Sequence, residues 1–124
     1  MIKDPGAVIS IPADLNPGLT PPRMATMKQA LGLPRDTFDG TCRPATRDPV
    51  RSLLVTEDVG PFRATGIRPA IASLRGVLAQ VKEHEPTVHA SLGSSGMFCA
   101  RLIGGSNKIS NHSWGCAIDI NISG

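Results

Sequence analysis

Along the segment up to Glu83 the apolar residues Ile67, Ile71, Leu74, Leu78 and Val81 recur at spacings of four, three, four and three, with Val77 beside them. That period lays one apolar stripe along a helix and predicts the clearest helix of the chain. Arg68, Arg75, Lys82 and Glu83 fall off the stripe, Pro69 sits near its start and Pro86 lies just past its end. Toward the C-terminus the period changes to two. Trp114, Cys116, Ile118, Ile120 and Ile122 alternate with Gly115, Ala117, Asp119 and Asn121, which predicts a strand over 114–122 with one apolar face. A one-sided helix must cover something, so the stripe is expected to pack on Cys116, Ile118 and Ile120.

The remaining elements are shorter. Residues 1–19 carry Pro5, Pro12 and Pro17 and read as an arm with one short strand at Ala7–Ile11. Thr20, Pro21 and Pro22 make a helix start, Met24, Met27 and Leu31 give it an apolar face, and Gly32 and Pro34 end it. Residues 35–51 read as loop, Ser52–Thr56 as a β-prone run and Gly60-Pro61 as a turn. Thr87–Leu92 and Met97–Ile103 are expected to be strands joined by the turn Gly93–Gly96, followed by a polar loop from Gly104 to Ser113. There is no internal repeat and no low-complexity tract. The order of elements predicts an α+β fold in a single domain. Residues 1–51 form its arm, short helix and loop, and residues 52–124 its core.

Composition narrows the function classes. The 124 residues include 13 Gly and 11 Pro, a pair that averages about 12% of a chain, so an all-helical bundle is excluded. Aromatic residues are 3% with no Tyr, too few for a platform that stacks single-stranded nucleic acid. The net charge of +3 comes from arginines scattered without a run. That pattern reads as a solvated surface or as a preference for an anionic polymer, and it lacks the basic stripe of a nucleic-acid binder. No apolar run approaches the ~20 residues of a membrane span. Met1-Ile2-Lys3-Asp4-Pro5 lacks the apolar core of a signal peptide. A protein made in soluble form is expected, and action outside the cytoplasm then needs another release route. Cys42, Cys99 and Cys116 are too few and too far apart for a disulfide framework or a zinc knuckle. They read by default as small buried apolar residues.

Chemistry concentrates near the C-terminus. Asp119 is the only charge on the predicted last strand, and its neighbours Gly115, Ala117 and Asn121 are small enough to leave a hollow above it. His112 lies seven residues earlier, in the loop. An imidazole and a carboxylate brought together are two ligands of the kind a catalytic zinc uses. They are equally the partners of a hydrogen bond that merely pins a loop.

The surrounding residues add a resemblance. Ser110-Asn111-His112-Ser113-Trp114-Gly115-Cys116-Ala117-Ile118-Asp119 resembles the S-x-H-x-x-G-x-A-x-D signature of the D-Ala-D-Ala carboxypeptidase/VanY-type zinc peptidases. Gly96–Arg101 followed by Gly104-Gly105-Ser106 resembles the arginine-bearing strand of that family. The resemblance covers roughly residues 52–124. It implies the Hedgehog/DD-peptidase fold, a small antiparallel sheet flanked by helices with Zn2+ on the sheet. It also implies His112 and Asp119 as zinc ligands, Arg101 as the catalytic oxyanion-stabilising and substrate-facing residue, and Ser110 as a group that steadies the loop or the substrate. Gly115 would let the backbone pass close under the metal. Trp114 is expected to be a packing anchor and Cys116 inert.

In that family a further His ligand and a general-base Glu lie downstream. The sequence ends at Gly124, five residues after Asp119, so both are expected to be missing here, and His84 and His89 do not follow the family pattern. The leading expectation is a zinc metallopeptidase acting on peptidoglycan stem peptides, carboxypeptidase-like or endolysin-like, present as an incomplete form. Such a form is expected to self-associate or to lack a C-terminal segment, and to reach the bacterial cell wall only if released. The alternative is a non-catalytic member that binds wall peptide or metal as a module.

Overall fold

A computed structural model describes residues 17–19 and 22–122. The expected strand at Ala7–Ile11, and Thr20 and Pro21 of the expected helix start, lie outside the described residues.

The long apolar stripe forms helix α3, Arg68–His84, with Ile71 and Leu78 buried. It lies against a hairpin that the chain makes immediately before it. Strands β1 (Leu54–Asp58) and β2 (Arg63–Ile67) pair antiparallel, with Leu54 opposite Ile67 and Thr56 opposite Thr65. Ile71 and Leu78 pack with Val59, Ala64 and Met97, and Ile118 joins from the side. Arg75 on α3 and Glu57 on β1 form an ion pair at 2.6 Å across this contact. The expected packing partner is thereby corrected. Of Cys116, Ile118 and Ile120, only Ile118 packs against this cluster; Cys116 belongs to another cluster and Ile120 remains 48% exposed. A helix that follows a hairpin without a linker folds back on that hairpin, and Pro61, Phe62 and Arg63 had hidden the second strand.

The second cluster centres on Val50, Ile67 and Trp114. Helix α1, Met24–Leu31, closes it with Met24, Met27 and Leu31 and ends at Gly32, whose φ of +70° suits glycine. This helix starts three residues later than the Thr20-Pro21-Pro22 signal indicated, after an extended Arg23 without a side-chain cap. Within the expected loop 35–51, Val50 opens a one-turn helix, α2 (Val50–Leu53), and is fully buried.

The C-terminal half departs most from expectation. Residues Pro86–Ser91 form a short helix, α4, instead of a strand, with Pro86 in its first turn. Strand β3, Leu92–Gly96, occupies the segment expected to turn. Its partner is β4, Asp119–Ile122, antiparallel, with Leu92 opposite Ile122, Ser94 opposite Ile120 and a bulge before Gly96 opposite Asp119. Met97–Ile103 forms no regular strand, because its backbone changes partner along its length. Phe98 donates to Thr65, Ala100 pairs with Arg43 and Leu102 with Ile109. The alternation over 114–122 also yields less strand than expected. Trp114 closes a 3₁₀ turn, Asn111–Trp114, and Gly115 at φ +68° breaks the extended path.

The protein is thus a small α+β fold with two small antiparallel sheets and a few helices. A disulfide joins Cys42 to Cys99 across 57 residues, with their Cα atoms 5.0 Å apart, which corrects the reading of both as small buried apolar residues outside any disulfide. The loop around Cys42 reaches the Cys99 segment because Arg43 and Ala100 pair beside it, a contact without a local sequence pattern. No helix among the described residues is long and apolar enough to cross a membrane.

Candidate functional site

The turn Asn111–Trp114 is built by serines. Ser110 is 5% exposed, and its hydroxyl accepts from the His112 backbone N–H at 3.2 Å. That is an N-cap, so the loop-steadying half of its expected role is what the structure supplies. Ser113 is fully buried; its hydroxyl accepts from the Arg101 N–H at 3.1 Å and lies 3.2 Å from the Arg101 carbonyl. Backbone bonds from Cys99 N–H to the His112 carbonyl and from Ser110 N–H to the Arg101 carbonyl, each 3.0 Å, lay the turn along Cys99–Arg101. Cys99 is in turn tied to Cys42. The turn therefore sits on a stapled base.

This base orients His112. Its Nδ1 lies 2.6 Å from the Met97 carbonyl. A carbonyl only accepts, so Nδ1 carries the proton. Nε2 then faces Asp119 Oδ1 at 3.5 Å. In the neutral imidazole both atoms are acceptors, and two lone pairs opposed at that distance call for a cation or a proton between them. The separation is longer than the 2.7–3.2 Å of a good N–H···O hydrogen bond. It is close to the ~3.3 Å between two ligands that share one tetrahedral zinc with bonds of about 2.0–2.1 Å. The carbonyl-bound second ring nitrogen is also the usual outer support of a metal-binding histidine. The His112 side chain is 15% exposed and that of Asp119 61%, so the pair opens to solvent on the carboxylate side.

The donor set thus fits two positions of a zinc site. Among the described residues no group of three His, Cys, Asp or Glu is placed to hold a metal. His84 is exposed at the end of α3. His89 is on α4 and lines a cleft with Asp58, Gly60, Arg75 and Lys82. Cys116 packs among the second cluster, and burial pushes its thiol up, which keeps it protonated.

Arg101 is brought to the site by its backbone, bonded to Ser110 and Ser113 as above. Its guanidinium donates to the Leu102 carbonyl at 3.3 Å and forms no ion pair with Asp119. Gly115 packs the turn against β2. Its carbonyl accepts from Ile67 N–H at 3.0 Å, and a Cβ there would stand 2.9 Å from that nitrogen and 3.2 Å from the Gly66 Cα. The glycine lets the turn pass against β2. Sequence reasoning missed Ser113, which occupies a variable position of the signature. It also missed the Met97 carbonyl, which as backbone leaves no trace in residue type.

No protein-family model, curated protein or solved structure matches this chain.

Proposed function

We propose that His112 and Asp119 hold zinc in a metallopeptidase of the D-Ala-D-Ala carboxypeptidase/VanY type, built on the Hedgehog/DD-peptidase fold and directed at peptidoglycan stem peptides. The observation that carries this reading is the opposition of His112 Nε2 and Asp119 Oδ1 at 3.5 Å, with Nδ1 committed to the Met97 carbonyl. Zinc bound there supplies a Lewis acid and an activated water for peptide hydrolysis. The chain's own residues set its geometry. Met97 fixes the tautomer and ring plane of His112, Ser110 fixes the backbone that carries it, and the bulge at Gly96 presents Asp119. Arg101 serves as the oxyanion donor once a substrate carbonyl replaces Leu102 as its acceptor.

A second reading, a non-catalytic module that binds wall peptide or metal, is favoured by one observation: only two donors converge among the described residues. Calorimetric titration of the purified chain with Zn2+ tests the shared premise. Binding that falls at least tenfold in both His112→Ala and Asp119→Ala supports the pair as ligands. Unchanged affinity in either variant, or no binding in the wild type, removes the metal reading. A parallel assay on purified peptidoglycan separates enzyme from module. Chelator-sensitive release of peptide marks the enzyme, and retention on the wall without release marks the module. With two donors converging among the described residues, zinc affinity is expected to lie below that of a three-ligand site.

A further inference from the structure

A cleft of about 440 Å³ lies between the β1–β2 turn, α3 and α4, a size that suits a small ligand. It shares no lining residue with the His112/Asp119 pair. From α3 come Arg75, Ala79 and Lys82, spaced four and three residues apart and therefore on one helix face, with the small Ala79 leaving room between two cations. Asp58 and Gly60 enter from the turn and His89 from α4.

These groups differ in what they still offer. Arg75 gives one terminal nitrogen to Glu57 at 2.6 Å, which pins the guanidinium and leaves Nε and the other terminal nitrogen as donors. Asp58 takes the Gly60 N–H on one carboxylate oxygen at 2.8 Å and keeps the other. A Cβ on Gly60 would stand 3.1 Å from His89 Nε2, so the edge of the imidazole lies against the turn. The hydrogen bonds of this neighbourhood run from Gly60 to Asp58, from Arg75 to Glu57 and from Ser91 to Thr87. They leave the His89 ring and the exposed Lys82 ammonium without a partner among the described residues.

An ammonium, a guanidinium edge and an imidazole N–H suit a group with three outward oxygens better than a planar carboxylate with two. A phosphoryl group presents those oxygens and close to two negative charges, which Lys82 and Arg75 match. The free oxygen of Asp58 repels a bare anion but accepts from a hydroxyl. A phosphate ester that also carries hydroxyls therefore satisfies every group of the cleft, and an ester without them does not.

We infer that this cleft binds a phosphate monoester of a small polyhydroxyl compound, with the phosphoryl group on Lys82, Arg75 and His89 and a hydroxyl on Asp58. The assignment is independent of the proposed zinc chemistry, since no group is shared.

The test is a titration of the ¹⁵N-labelled full chain with glycerol 3-phosphate, with methyl phosphate and with glycerol, followed by amide shifts and the His89 ring resonances without added metal. Glycerol 3-phosphate is expected to move the Val59 and Gly60 amides and the His89 ring, methyl phosphate to bind about fivefold or more weakly for want of the hydroxyl on Asp58, and glycerol not to bind. Lys82→Ala removes an exposed side chain and should lose about tenfold of the glycerol 3-phosphate affinity, while Lys82→Arg keeps most of it. Asp58→Asn leaves an acceptor for the Gly60 N–H but replaces the free carboxylate oxygen, and should narrow the preference for glycerol 3-phosphate over methyl phosphate. Lys108→Ala, a lysine outside the cleft, and His112→Ala should bind as the wild type does. No binding by the wild type, shifts confined away from Gly60 and His89, equal affinity for the two esters, or unchanged affinity in Lys82→Ala would overturn the inference. Binding that follows this pattern when the chain takes up no zinc leaves the cleft assignment standing and removes only the metal reading.

Discussion

The indole Nε1 of Trp114 donates to the carbonyl of Gly32 at 2.8 Å, across 82 residues of chain. This bond joins the end of α1 to the turn that carries His112, and the ring itself is fully buried. Trp114→Phe keeps an aromatic ring but removes the donor and leaves a void. An unpaired Gly32 carbonyl alone costs about 1–3 kcal/mol, and the void adds to it. Urea melts should show that loss. A change below about half a kcal/mol would mean that α1 does not brace the turn.

Leu78 and Val77 are neighbours on α3 with opposite surroundings. Leu78 is 2% exposed in the core between α3 and the β1–β2 hairpin, whereas Val77 is 57% exposed. Leu78→Ala should destabilise by about 2–5 kcal/mol, and Val77→Ala by less than about 0.5 kcal/mol. Comparable losses at the two positions would reject the helix orientation.

The contrast also shows which patterns the sequence exposes. The α3 stripe is legible because a helix must repeat its apolar face over several turns, and Arg68–His84 does so. The α1 face and its glycine end are legible for the same reason. The errors cluster where contacts are non-local. Val88 lies in a β-branched run, but Pro86 starts a helical turn there, so local start chemistry outweighed strand propensity. Gly93, Ser94 and Ser95 look like a turn, yet β4 recruits them into a ladder from 25 or more residues away. The Cys42–Cys99 bond depends on a backbone pairing between Arg43 and Ala100 that no spacing predicts. At the site, His112 and Asp119 were visible as residue types. Their opposition was not, because a backbone carbonyl and a bulge create it.

Acid should expose two local carboxylates. Ser52 first, and Arg51 next, hold Asp48 below the usual carboxylate range, and Arg43 with the Thr41 N–H does the same for Asp39. A carboxyl lowered on folding contributes stability that is present above its unfolded value of about 3.9 and is lost as pH falls through its folded value. Asp48→Asn and Asp39→Asn should therefore flatten the acid side of a Tm-against-pH profile and leave its neutral side nearly parallel to wild type. Both pairs are exposed, so each effect should be small. A steeper acid limb in either variant would contradict the assignment.

Cys116 is the one cysteine outside the disulfide among the described residues. The unreduced native chain should present a single titratable thiol, and the reduced, denatured chain three. Since burial raises its pKa and only the thiolate reacts, native Cys116 should alkylate more slowly than an unstructured cysteine at mildly alkaline pH. Its rate should keep climbing beyond the usual thiol range near about 8.5. A rate equal to that of a free peptide cysteine would show that the thiol is not desolvated.

Gly115 links stability to the site. Its φ of +68° is strained for any side chain, and a Cβ would press on the Ile67 nitrogen at 2.9 Å and Leu54 Cδ2 at 3.0 Å. The Leu54 methyl can yield, but the backbone of β2 cannot. The conformation alone costs on the order of 1–3 kcal/mol for a non-glycine residue, so Gly115→Ala should be clearly destabilised in urea melts. The turn is a unit, because Gly115 N–H donates to the His112 carbonyl at 3.0 Å. Pushing Gly115 off β2 therefore drags His112 away from the Met97 carbonyl and from Asp119. Zinc affinity should fall with stability, and the His112 ring resonances should shift. Gly104→Ala is the matched control, since a Cβ there meets nothing within 4 Å. It should leave both stability and zinc binding at wild-type levels. If Gly115→Ala lost stability but kept full zinc affinity, the turn would not be what positions the histidine.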